Sequence, residues 1–531
     1  EIGVRLVGSE MCIRDRASHA PKNCLSTAPS PSGSPPTKEL ITVADKQASD
    51  QRLSDTAPSA GLPTVLEDIV TARKRHIDEI KARISHVDPA NLPRSERSLY
   101  ESLARPGTRF IMECKSSSPS LGMIREHYEP GEIASIYSRY AAGISVLCEP
   151  ERFGGDYDHL ATVAATTHLP VLCKDFIVDP VQIHAARYFG ADAILLMLSV
   201  LDDDEYASLS AEADRLGLDV LTEVIDEDEA ARATKLGAEI FGINHRNLHD
   251  LTIDLERSAR LAPLAPEGAL IVSESGIRDV ETVRRLGGHS DGFLVGSHLT
   301  GTPDIDWAAR MLVYGPNKVC GLTSHTAAQT ARAAGAVYGG LIFEENSPRN
   351  VSRETAKNII AYEPGLHYVA VSRRTDGWDE LVFPGIRAVQ IHSPYQGSLD
   401  AERDLIAKIR DSVRALDPDI EIWRAVSMSD PDGPAVAKGL AGDVDKLVLD
   451  AKDGGSGTGF DWSTIPDDVR GHSLLAGGLG PKNVDEALNV GCLGLDLNSG
   501  VEYPAGAGTW AGAKDAGALR VTFDRIRNFH Y

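Results

Sequence analysis

The sequence is poor in aromatic residues and in cysteine, and it has no long apolar run. Aromatic residues make up 6% of the 531 residues, and the seven cysteines are scattered without a C-x-x-C pair. An odd, dispersed set of cysteines indicates neither a disulfide framework nor a zinc site and is typical of a reducing cytosol. The longest wholly apolar run is the six residues from Ala193 to Leu198, far below the roughly 18 that span a bilayer. We therefore expect a cytoplasmic protein without a transmembrane segment.

Positive charge is also in short supply. Lys and Arg total 54 against 77 for Asp and Glu, which gives a formal net charge of −23. An acidic surface repels nucleic acid and anionic membranes, so we expect neither as a partner, and any phosphate must bind in a local pocket. Hydrophobic residues make up 42% and charged residues 25%, with 48 Gly and 29 Pro for turns. This mixture is typical of a globular α/β protein and excludes disorder over the whole length.

Residues 1–60 differ in composition from the rest of the chain. The stretch ASHAPKNCLSTAPSPSGSPPTKE is rich in Ser, Pro and Ala and has no apolar periodicity, which predicts disorder. The opening EIGVRLVGSEMCIRDR lacks the core of a secretory signal and resembles translated adapter sequence. We therefore interpret 1–60 as a disordered or artefactual extension. From Thr64 to about Ile84 apolar residues recur at helical spacing, which predicts that an amphipathic helix opens the folded part.

Short apolar runs then alternate with helix-like stretches. The first eight runs begin near Phe110, Ser145, Pro170, Ala191, Asp219, Ile240, Leu270 and Gly292. After a hydrophilic bridge over 301–316, eight more begin near Lys318, Tyr338, His367, Ile386, Ile420, Asp445, Ser473 and Leu493. Alternating β and α elements predict a parallel sheet, and eight repeats close it into a barrel with its site at the C-terminal strand ends. The predicted fold is α/β: two tandem (βα)8 TIM barrels over 61–300 and 317–531, the first with an extra N-terminal helix, joined by a linker over 301–316.

The last two strands of both halves end in similar small residues. The first half has VSESGI and LVGS, and the second has LLAGGLG and LNSG. Barrels commonly bind phosphate at these ends, because small residues let backbone N–H groups approach the anion. Glycines that only make tight turns are the alternative for a single pair. The recurrence at matching positions favours two phosphate sites.

Charged residues converge at the predicted mouth of the first barrel. Glu113 and Lys115 are two residues apart, so they point to the same side of a strand, near Lys174 from the third strand. Two lysines that repel each other have a lowered proton affinity, which suits general acid catalysis. Glu223 and Glu274 are placed to tune or orient them. A rim network of salt bridges is the alternative, but five charged strand ends favour a catalytic site.

The second barrel has fewer such groups. Cys320 ends the first strand and Asp450 ends the sixth, so a thiolate and a carboxylic acid can pass protons across a sugar carbon, as an aldose to ketose rearrangement requires. A small buried hydrophobic residue is the alternative for Cys320. The glycine-rich segment 454–459 is either a lid over the site or a solvated turn.

In the first half, the motifs ECKSSSPS, LPVLCKDF, LTEV, GINHRNL, VSESGI and FLVGS resemble indole-3-glycerol-phosphate synthase across residues 64–300. The resemblance implies a carboxy-lyase that closes the ring of a carboxyphenylamino-deoxyribulose phosphate with loss of carbon dioxide and water. It further implies Lys174 as the general acid for ring closure and Glu223 as a general base or acid in dehydration. Lys115 is implied to bind the substrate carboxylate and to share the second proton transfer, and the order of the two lysines stays open.

The resemblance extends to the residues around that centre. It implies that Glu113, Asn244 and Ser275 orient the substrate, that phosphate is held by Ser118, Gly276, Gly296 and Ser297, and that Phe153 and Arg246 shape the pocket. Leu121 departs from the pattern, since many relatives carry a basic residue there. We therefore expect no auxiliary charge contact at that position.

In the second half, the motifs NKVCGLT, GLIFEENSPRNVS, VQIH, LDAKDGGSGTGFDW, LLAGGLG and NSGVEYPAG resemble phosphoribosylanthranilate isomerase across residues 316–530. The resemblance implies an Amadori rearrangement with Cys320 as general base and Asp450 as general acid. Arg349 is implied to bind the anthranilate carboxylate or to position the substrate, with a surface-loop arginine as the alternative. The implied phosphate ligands are Gly477, Gly478, Ser499 and Gly500. His392 lines the pocket or is a core histidine, and the role of the basic VSRR segment (371–374) is open.

The two resemblances together imply one bifunctional enzyme of tryptophan biosynthesis, because the isomerase product is the synthase substrate. They imply no metal and no cofactor, and the sequence has no ligand cluster or dinucleotide motif. We expect a monomer whose partners are phosphorylated anthranilate derivatives. Another sugar-phosphate isomerase or epimerase would not need the Glu and Lys set of the first barrel. A non-catalytic binder of phosphoribosyl metabolites would be expected to lack the proton-transfer groups.

Overall fold

The computed structural model describes residues 65–247, 251–451 and 459–530. The predictions for the extension 1–60 and for most of the glycine-rich segment 454–459 lie outside these residues. Within them, the strands form two closed parallel barrels, in tandem along the chain, as predicted.

Eight parallel strands close the first barrel in chain order, because its first strand pairs both with the next strand of the same barrel and with the last one. A short antiparallel hairpin follows the first strand. The strands, with the hairpin in its place, are β1 (Arg109–Cys114), β2 (Ser117–Ser118), β3 (Gly122–Met123), β4 (Gly143–Leu147), β5 (Val171–Lys174), β6 (Ala193–Met197), β7 (Asp219–Val224), β8 (Ile240–Asn244), β9 (Leu270–Glu274) and β10 (Gly292–Val295).

The second barrel closes in the same way, with its first strand paired to the second and the last. Its strands are β11 (Lys318–Val319), β12 (Tyr338–Ile342), β13 (His367–Ser372), β14 (Ile386–Ile391), β15 (Glu421–Ser427), β16 (Lys446–Asp450), β17 (Ser473–Leu475) and β18 (Gly494–Leu497).

Helices surround the strands of the first barrel, and side-chain caps fix many of their starts. Asp179 and Gln182 form a reciprocal capping box on one of them, which satisfies backbone N–H groups that a helix end leaves without partners. The helices are α1 (Val65–Arg75), α2 (Ile77–Arg83), α3 (Leu99–Leu103), α4 (Pro130–Tyr137), α5 (Pro150–Phe153), α6 (Tyr157–Thr166), α7 (Pro180–Tyr188), α8 (Asp203–Arg215), α9 (Glu227–Lys235), α10 (Arg257–Leu261), α11 (Val280–Gly287) and α12 (Ser297–Thr300).

The remaining helices belong to the connection and the second barrel. They are α13 (Ile305–Tyr314), α14 (His325–Ala334), α15 (Arg353–Tyr362), α16 (Leu399–Arg414), α17 (Gly433–Leu440), α18 (Asp467–Arg470), α19 (Val484–Asn489) and α20 (Ala516–Asn528). No helix of the described ranges is long and apolar enough to cross a membrane.

Alternation along the strands separates the barrel interior from the layer under the helices. Ile111 packs inside the first barrel with residues of the other strands, whereas Phe110 and Met112 pack against the helices. The same alternation places Glu113 on the inner side and Cys114 on the outer side. Apolar side chains therefore fill the lower part of the barrel interior, and polar side chains such as Glu113 lie above them, toward the C-terminal strand ends.

The amphipathic N-terminal segment is broken where a single helix was predicted. His76 lies in a turn between α1 and α2, and its N–H bonds to the carbonyl of Arg73. The break lets Val65 and Ile69 of α1 line the mouth of the first barrel while α2 packs against α7. The apolar periodicity did not indicate the break, because both halves keep helical spacing on their buried faces.

The stretch 301–316, predicted as a hydrophilic linker, contains the helix α13, which has a buried face. Its residue Asp306 accepts a hydrogen bond from Tyr140 of the first barrel at 2.6 Å and pairs with Arg332 of the second at 2.8 Å. The linker therefore contributes buried polar contacts to both barrels.

Candidate active sites

The mouth of the first barrel holds a cavity of about 520 Å³ at the C-terminal strand ends. Nearly all the residues predicted for this site line it: Glu113, Lys115, Ser118, Phe153, Lys174, Glu223, Asn244, Arg246, Ser275, Gly276, Gly296 and Ser297. Glu274 borders it through an ion pair with Lys174. Strand alternation and barrel closure thus bring together residues more than 150 positions apart in sequence.

Two lysines and two glutamates form a connected cluster in this mouth. The Nζ of Lys115 lies 2.5 Å from Oε1 of Glu113, and the Nζ of Lys174 lies 3.6 Å from Oε2 of the same carboxylate. The Nζ of Lys174 is also 2.6 Å from Oε2 of Glu274. Burial opposes ionisation of Glu113, but the two ammonium groups outweigh it and hold the pKa of Glu113 below its usual value.

The prediction that the lysines lower each other's proton affinity is wrong for Lys174. Burial disfavours its ammonium form, but the carboxylates of Glu274, Glu113 and Glu223 outweigh burial and raise the pKa of Lys174. The nearest charges are anionic, so Lys174 stays protonated at neutral pH.

Glu223 shows the opposite behaviour. Burial, followed by repulsion from Glu274, raises the pKa of Glu223 to about 8. Lys174 and a hydrogen bond that Asn244 Nδ2 donates to Glu223 Oε1 at 3.0 Å only partly offset this. Glu223 is therefore mostly protonated near neutral pH, whereas the neighbouring Lys174 carries its charge.

The opposite side of the mouth is built from small residues. Ser275 and Gly276 have φ angles of 67° and 80°, a left-handed pair of residues whose N–H groups can converge on an anion. His245 Nδ1 donates a hydrogen bond to the Ser275 carbonyl at 3.0 Å and fixes this turn. A Cβ at Gly296 would collide with the Glu113 carboxylate, so this position needs glycine.

Apart from Phe153, sequence reasoning did not assign the apolar wall of this site. Val65 and Ile69 from α1 face it, and Phe153 packs against Phe176 with ring centroids 6.0 Å apart. The apolar face of the N-terminal helix was visible in the sequence. Its location over the mouth was not, because only the break at His76 directs it there.

The mouth of the second barrel holds a larger cavity of about 1230 Å³. The predicted residues that line it are Cys320, Arg349, His392, Asp450, Gly477, Gly478 and Ser499. Gly500 does not line it. A Cβ there would collide with the carbonyls of Gly478 and Leu479, so Gly500 permits the two phosphate-side loops to pack together.

The Cys320 thiol is buried beside an ammonium group. Burial raises the pKa of Cys320, and Lys318 partly offsets this. A Cβ on Gly340 would lie 2.7 Å from Cys320 Sγ and 2.8 Å from Lys318 Cε, so this glycine makes room for both side chains. Lys318 Nζ donates to Gln390 at 2.6 Å and pairs with Asp496 at 2.8 Å.

Sequence reasoning missed Lys318 and Asp496. The signal was present for Lys318, because it stands two residues before Cys320 and therefore faces the same side of β11. Asp496 Oδ1 and Ser499 Oγ are buried at this mouth and have no hydrogen-bond partner among the described residues. Such atoms normally meet a ligand or water.

Arg349 lies at the edge of this cavity in an ion pair. Its Nε and Nη2 donate to the two oxygens of Glu502 at 2.7 and 2.8 Å. His392 also lines the cavity, and burial, followed by the charge of Lys318, lowers its pKa to about 4. His392 is therefore neutral at physiological pH.

Two closed parallel barrels with titratable side chains at each mouth define a tandem TIM-barrel enzyme, and family models specify the two parts. Residues 66–312 match the model for indole-3-glycerol phosphate synthase, and residues 317–523 match that for N-(5'-phosphoribosyl)anthranilate (PRA) isomerase.

The chain is similar to several known proteins. It is 70% identical over 475 residues to the tryptophan biosynthesis protein TrpCF of Corynebacterium glutamicum, which covers 89% of this chain and 100% of that protein. The TrpCF of Yersinia pestis is 42% identical over 485 residues, which cover 89% and 96% of the two chains. A crystal structure of phosphoribosyl anthranilate isomerase from Thermus thermophilus is 27% identical and covers 40% of this chain and 97% of that one, with a TM-score of 0.32.

The chain belongs to the TrpCF family of bifunctional tryptophan-biosynthesis enzymes. Its C-terminal barrel isomerises N-(5-phosphoribosyl)anthranilate to 1-(2-carboxyphenylamino)-1-deoxyribulose 5-phosphate. Its N-terminal barrel converts that product to indole-3-glycerol phosphate with loss of carbon dioxide and water. Both resemblances found in the sequence are thereby confirmed, and the substrates are phosphorylated anthranilate derivatives.

Proposed function

We propose that Cys320 and Asp450 transfer protons in the isomerase and that Lys174 and Glu223 do so in the synthase. The observation that carries this assignment is that each pair lines one cavity at the C-terminal end of one barrel. In this proposal the synthase barrel spans 61–300, the linker 301–316 and the isomerase barrel 317–531.

In the isomerase, Asp450 donates a proton to the ring oxygen of the phosphoribosyl group as the bond from that oxygen to C1 breaks. Cys320 then takes the proton from C2, and the resulting enamine rearranges to the ketose. The buried thiol needs help to ionise, and the ammonium of Lys318 supplies it. The role of Lys318 is therefore to stabilise the thiolate form.

The remaining isomerase residues bind the ends of the substrate. Gly477, Gly478 and Ser499 hold the phosphate, supported by the buried Ser499 hydroxyl and by the left-handed φ angles of both glycines. Gly500 supports this loop through packing. Arg349 binds the anthranilate carboxylate or positions the substrate, and neutral His392 lines the pocket beside it.

In the synthase, Lys174 donates a proton to the ketone oxygen while the ring carbon that bears the carboxylate attacks C2. The bond to the carboxylate then breaks, carbon dioxide leaves and the electron pair returns to the ring. The raised pKa of Lys174 keeps this proton in place until the substrate oxygen gains negative charge. Lys115 binds the carboxylate and shares the second proton transfer.

In the dehydration that completes the indole, Glu223 protonates the departing hydroxyl group as the electron pair of the ring nitrogen expels water. Glu223 then takes the proton from the neighbouring ring carbon, and the double bond of the indole forms. The Glu223 pKa of about 8 suits a group that gives up a proton near neutral pH. The residues that orient the substrate are Glu113, Asn244, Ser275 and Glu274, those that hold phosphate are Ser118, Gly276, Gly296 and Ser297, and those that shape the pocket are Phe153 and Arg246.

We further propose that the protein is a cytoplasmic monomer without a nucleic-acid partner. The net charge of −23 supports the absence of a nucleic-acid partner, because a strongly acidic protein repels polyanions. Sedimentation at several protein concentrations tests the monomeric state, and a gel-shift assay in low salt tests nucleic-acid binding.

A fluorescence assay tests the catalytic assignment. Phosphoribosylanthranilate is supplied, and its loss and the formation of indole-3-glycerol phosphate are followed together. We expect Cys320→Ala to block consumption, and Lys174→Ala to consume substrate and accumulate the ketose. Cys492→Ala, a buried cysteine outside both cavities, and Lys235→Ala, an exposed lysine, are the matched controls. Normal turnover in Cys320→Ala or Lys174→Ala would contradict the assignment.

A further inference from the structure

Three charged side chains meet behind the substrate-facing edge of the second barrel. Glu502 accepts two hydrogen bonds from Arg349 and a third from Lys514, whose Nζ lies 2.6 Å from Oε1. Lys514 also donates to Asn498 Oδ1 at 2.9 Å. The Glu502 side chain is 6% exposed and that of Lys514 is 2% exposed, so these two charges are shielded from water, whereas Arg349, 17% exposed, borders the cavity.

The group borders the reacting centre. A Cβ on Gly321, the residue after Cys320, would lie 2.6 Å from Arg349 Cδ and 2.9 Å from Asn498 Oδ1. Both Arg349 and Asn498 line the cavity, whereas Glu502 does not. The carboxylate therefore reaches the cavity directly through Arg349 and, by way of Lys514, through Asn498.

The charges do not balance within the group. Two cations share one carboxylate, which leaves one positive charge in a buried setting that favours an anionic ligand. Glu502 occupies the Nε and Nη2 side of the guanidinium, and Nη1 has no hydrogen-bond partner among the described residues. An arginine held at one edge loses less side-chain freedom when its other edge binds a carboxylate.

We propose that Glu502 is the positioning residue that makes Arg349 selective for the substrate carboxylate, and that Lys514 neutralises Glu502 so that it does not repel this anion. The inference rests on the proposed contact between Arg349 and the anthranilate carboxylate. It adds the reason why the contact is specific: Glu502 fixes the direction of the free edge of the guanidinium.

Two ligands separate positioning from general stabilisation. The first is reduced 1-(o-carboxyphenylamino)-1-deoxyribulose 5-phosphate, and the second is the same compound without the carboxyl group. The affinity of each for the isomerase site is measured as its competitive inhibition constant against phosphoribosylanthranilate consumption by the full chain carrying Lys174→Ala, so that binding at the synthase site does not contribute. In the parent we expect the carboxylated ligand to bind at least about tenfold more tightly, as a charge-assisted bidentate contact allows.

We expect Glu502→Gln to remove most of this preference, with a loss of about tenfold for the carboxylated ligand and less than about twofold for the other. Glu502→Asp, which keeps the charge, restores part of the preference. In the wild-type background, unchanged synthase turnover shows that the Gln variant is folded. If Gln fails to fold, Lys514→Met provides the second test, because an unneutralised Glu502 weakens binding of the carboxylated ligand selectively.

Equal losses for both ligands would overturn the inference, since they would indicate general damage to the site. A gain in affinity for the carboxylated ligand in Glu502→Gln would also overturn it, because Glu502 would then compete with the substrate for Arg349. If the parent shows no preference and Arg349→Ala changes nothing, the proposed role of Arg349 fails. If Arg349→Ala removes the preference and Glu502→Gln keeps it, only the present inference fails.

Discussion

At the end of the first strand of each barrel, two side chains face the barrel interior in the same geometry. The deeper one is an acid in the first barrel and a base in the second. In each, two residues separated by one position face inward. Glu113 lies deeper in the first barrel than Lys115, and Lys318 lies deeper in the second than Cys320. In the second barrel the ammonium of Lys318 partly offsets the burial that raises the pKa of Cys320. In the first, Glu113 pairs with Lys115 and is one of the carboxylates that raise the pKa of Lys174. The deeper side chain is thus an anion beside ammonium groups at one mouth and a cation beside a thiol at the other.

The surroundings of these pairs differ as well. The first mouth has a cavity of about 520 Å³ partly covered by α1, and several carboxylates surround its lysines. The second has a cavity of about 1230 Å³, and its residues Lys318 and Arg349 are each paired with a carboxylate. The same barrel fold thus carries different charge arrangements at its two mouths, and the fold alone does not determine the reaction.

The largest expected effect breaks the second pair. Lys318→Gln removes the cation beside Cys320, so the pKa of the thiol rises further and the thiolate becomes scarce. We expect isomerase kcat/KM to fall by about two orders of magnitude, with the rise of activity moved to higher pH. Steady-state kinetics from pH 6 to 10 measure this. Synthase turnover in the same chain is the control, and an isomerase rate within threefold of wild type would disprove the role of Lys318.

Breaking the first pair has the next largest effect. Glu113→Gln removes the carboxylate that lies 2.5 Å from Lys115 and one of those that keep Lys174 protonated. We expect synthase kcat/KM to fall by more than about tenfold while the isomerase is unchanged. The ketose intermediate should then accumulate when phosphoribosylanthranilate is supplied. Glu267→Gln, at an exposed position of the same barrel, is the matched variant.

A smaller effect comes from crowding each pair without removing a charge. Gly296→Ala places a Cβ against Glu113, and Gly340→Ala places one against Cys320 and Lys318. We expect each variant to slow only its own reaction, by a few fold to about tenfold, because the side chains must shift. Gly288→Ala and Gly442→Ala serve as controls, since nothing lies within 4 Å of a Cβ at either position. Loss of both activities in one variant would indicate global damage instead.

Local patterns in the sequence predicted part of both sites. Strand periodicity predicted that Glu113 and Lys115 share a side, and the small residues that recur at matching strand ends predicted two phosphate sites. Both are local patterns. The same periodicity would have found Lys318, which was overlooked because only strand ends were considered.

Features that depend on distant parts of the chain were not predictable in this way. Lys174 and Glu274 are 100 positions apart, and the distance between them sets the charge state of the lysine. The trio of Arg349, Glu502 and Lys514 forms only when the loop between β18 and α20 folds back on itself. The direction of α1 depends on a break at His76 that leaves no mark in the apolar pattern.

The smallest expected effect is a shift in the pH profile of the synthase, and it tests whether Glu274 controls the protonation of Glu223. Because Glu223 has a pKa of about 8 and acts as an acid in the proposed mechanism, we expect synthase turnover to fall as pH rises through about 8, where Glu223 loses its proton. Glu274→Gln removes the like charge that repels the Glu223 carboxylate and also frees Lys174 from its nearest anion. Both changes lower the pKa of Glu223, so the fall should begin about one unit lower. Turnover of the ketose from pH 6 to 9.5 measures the shift, whatever the change in absolute rate. A fall that stays in place or moves upward would mean that Glu274 does not control the proton on Glu223.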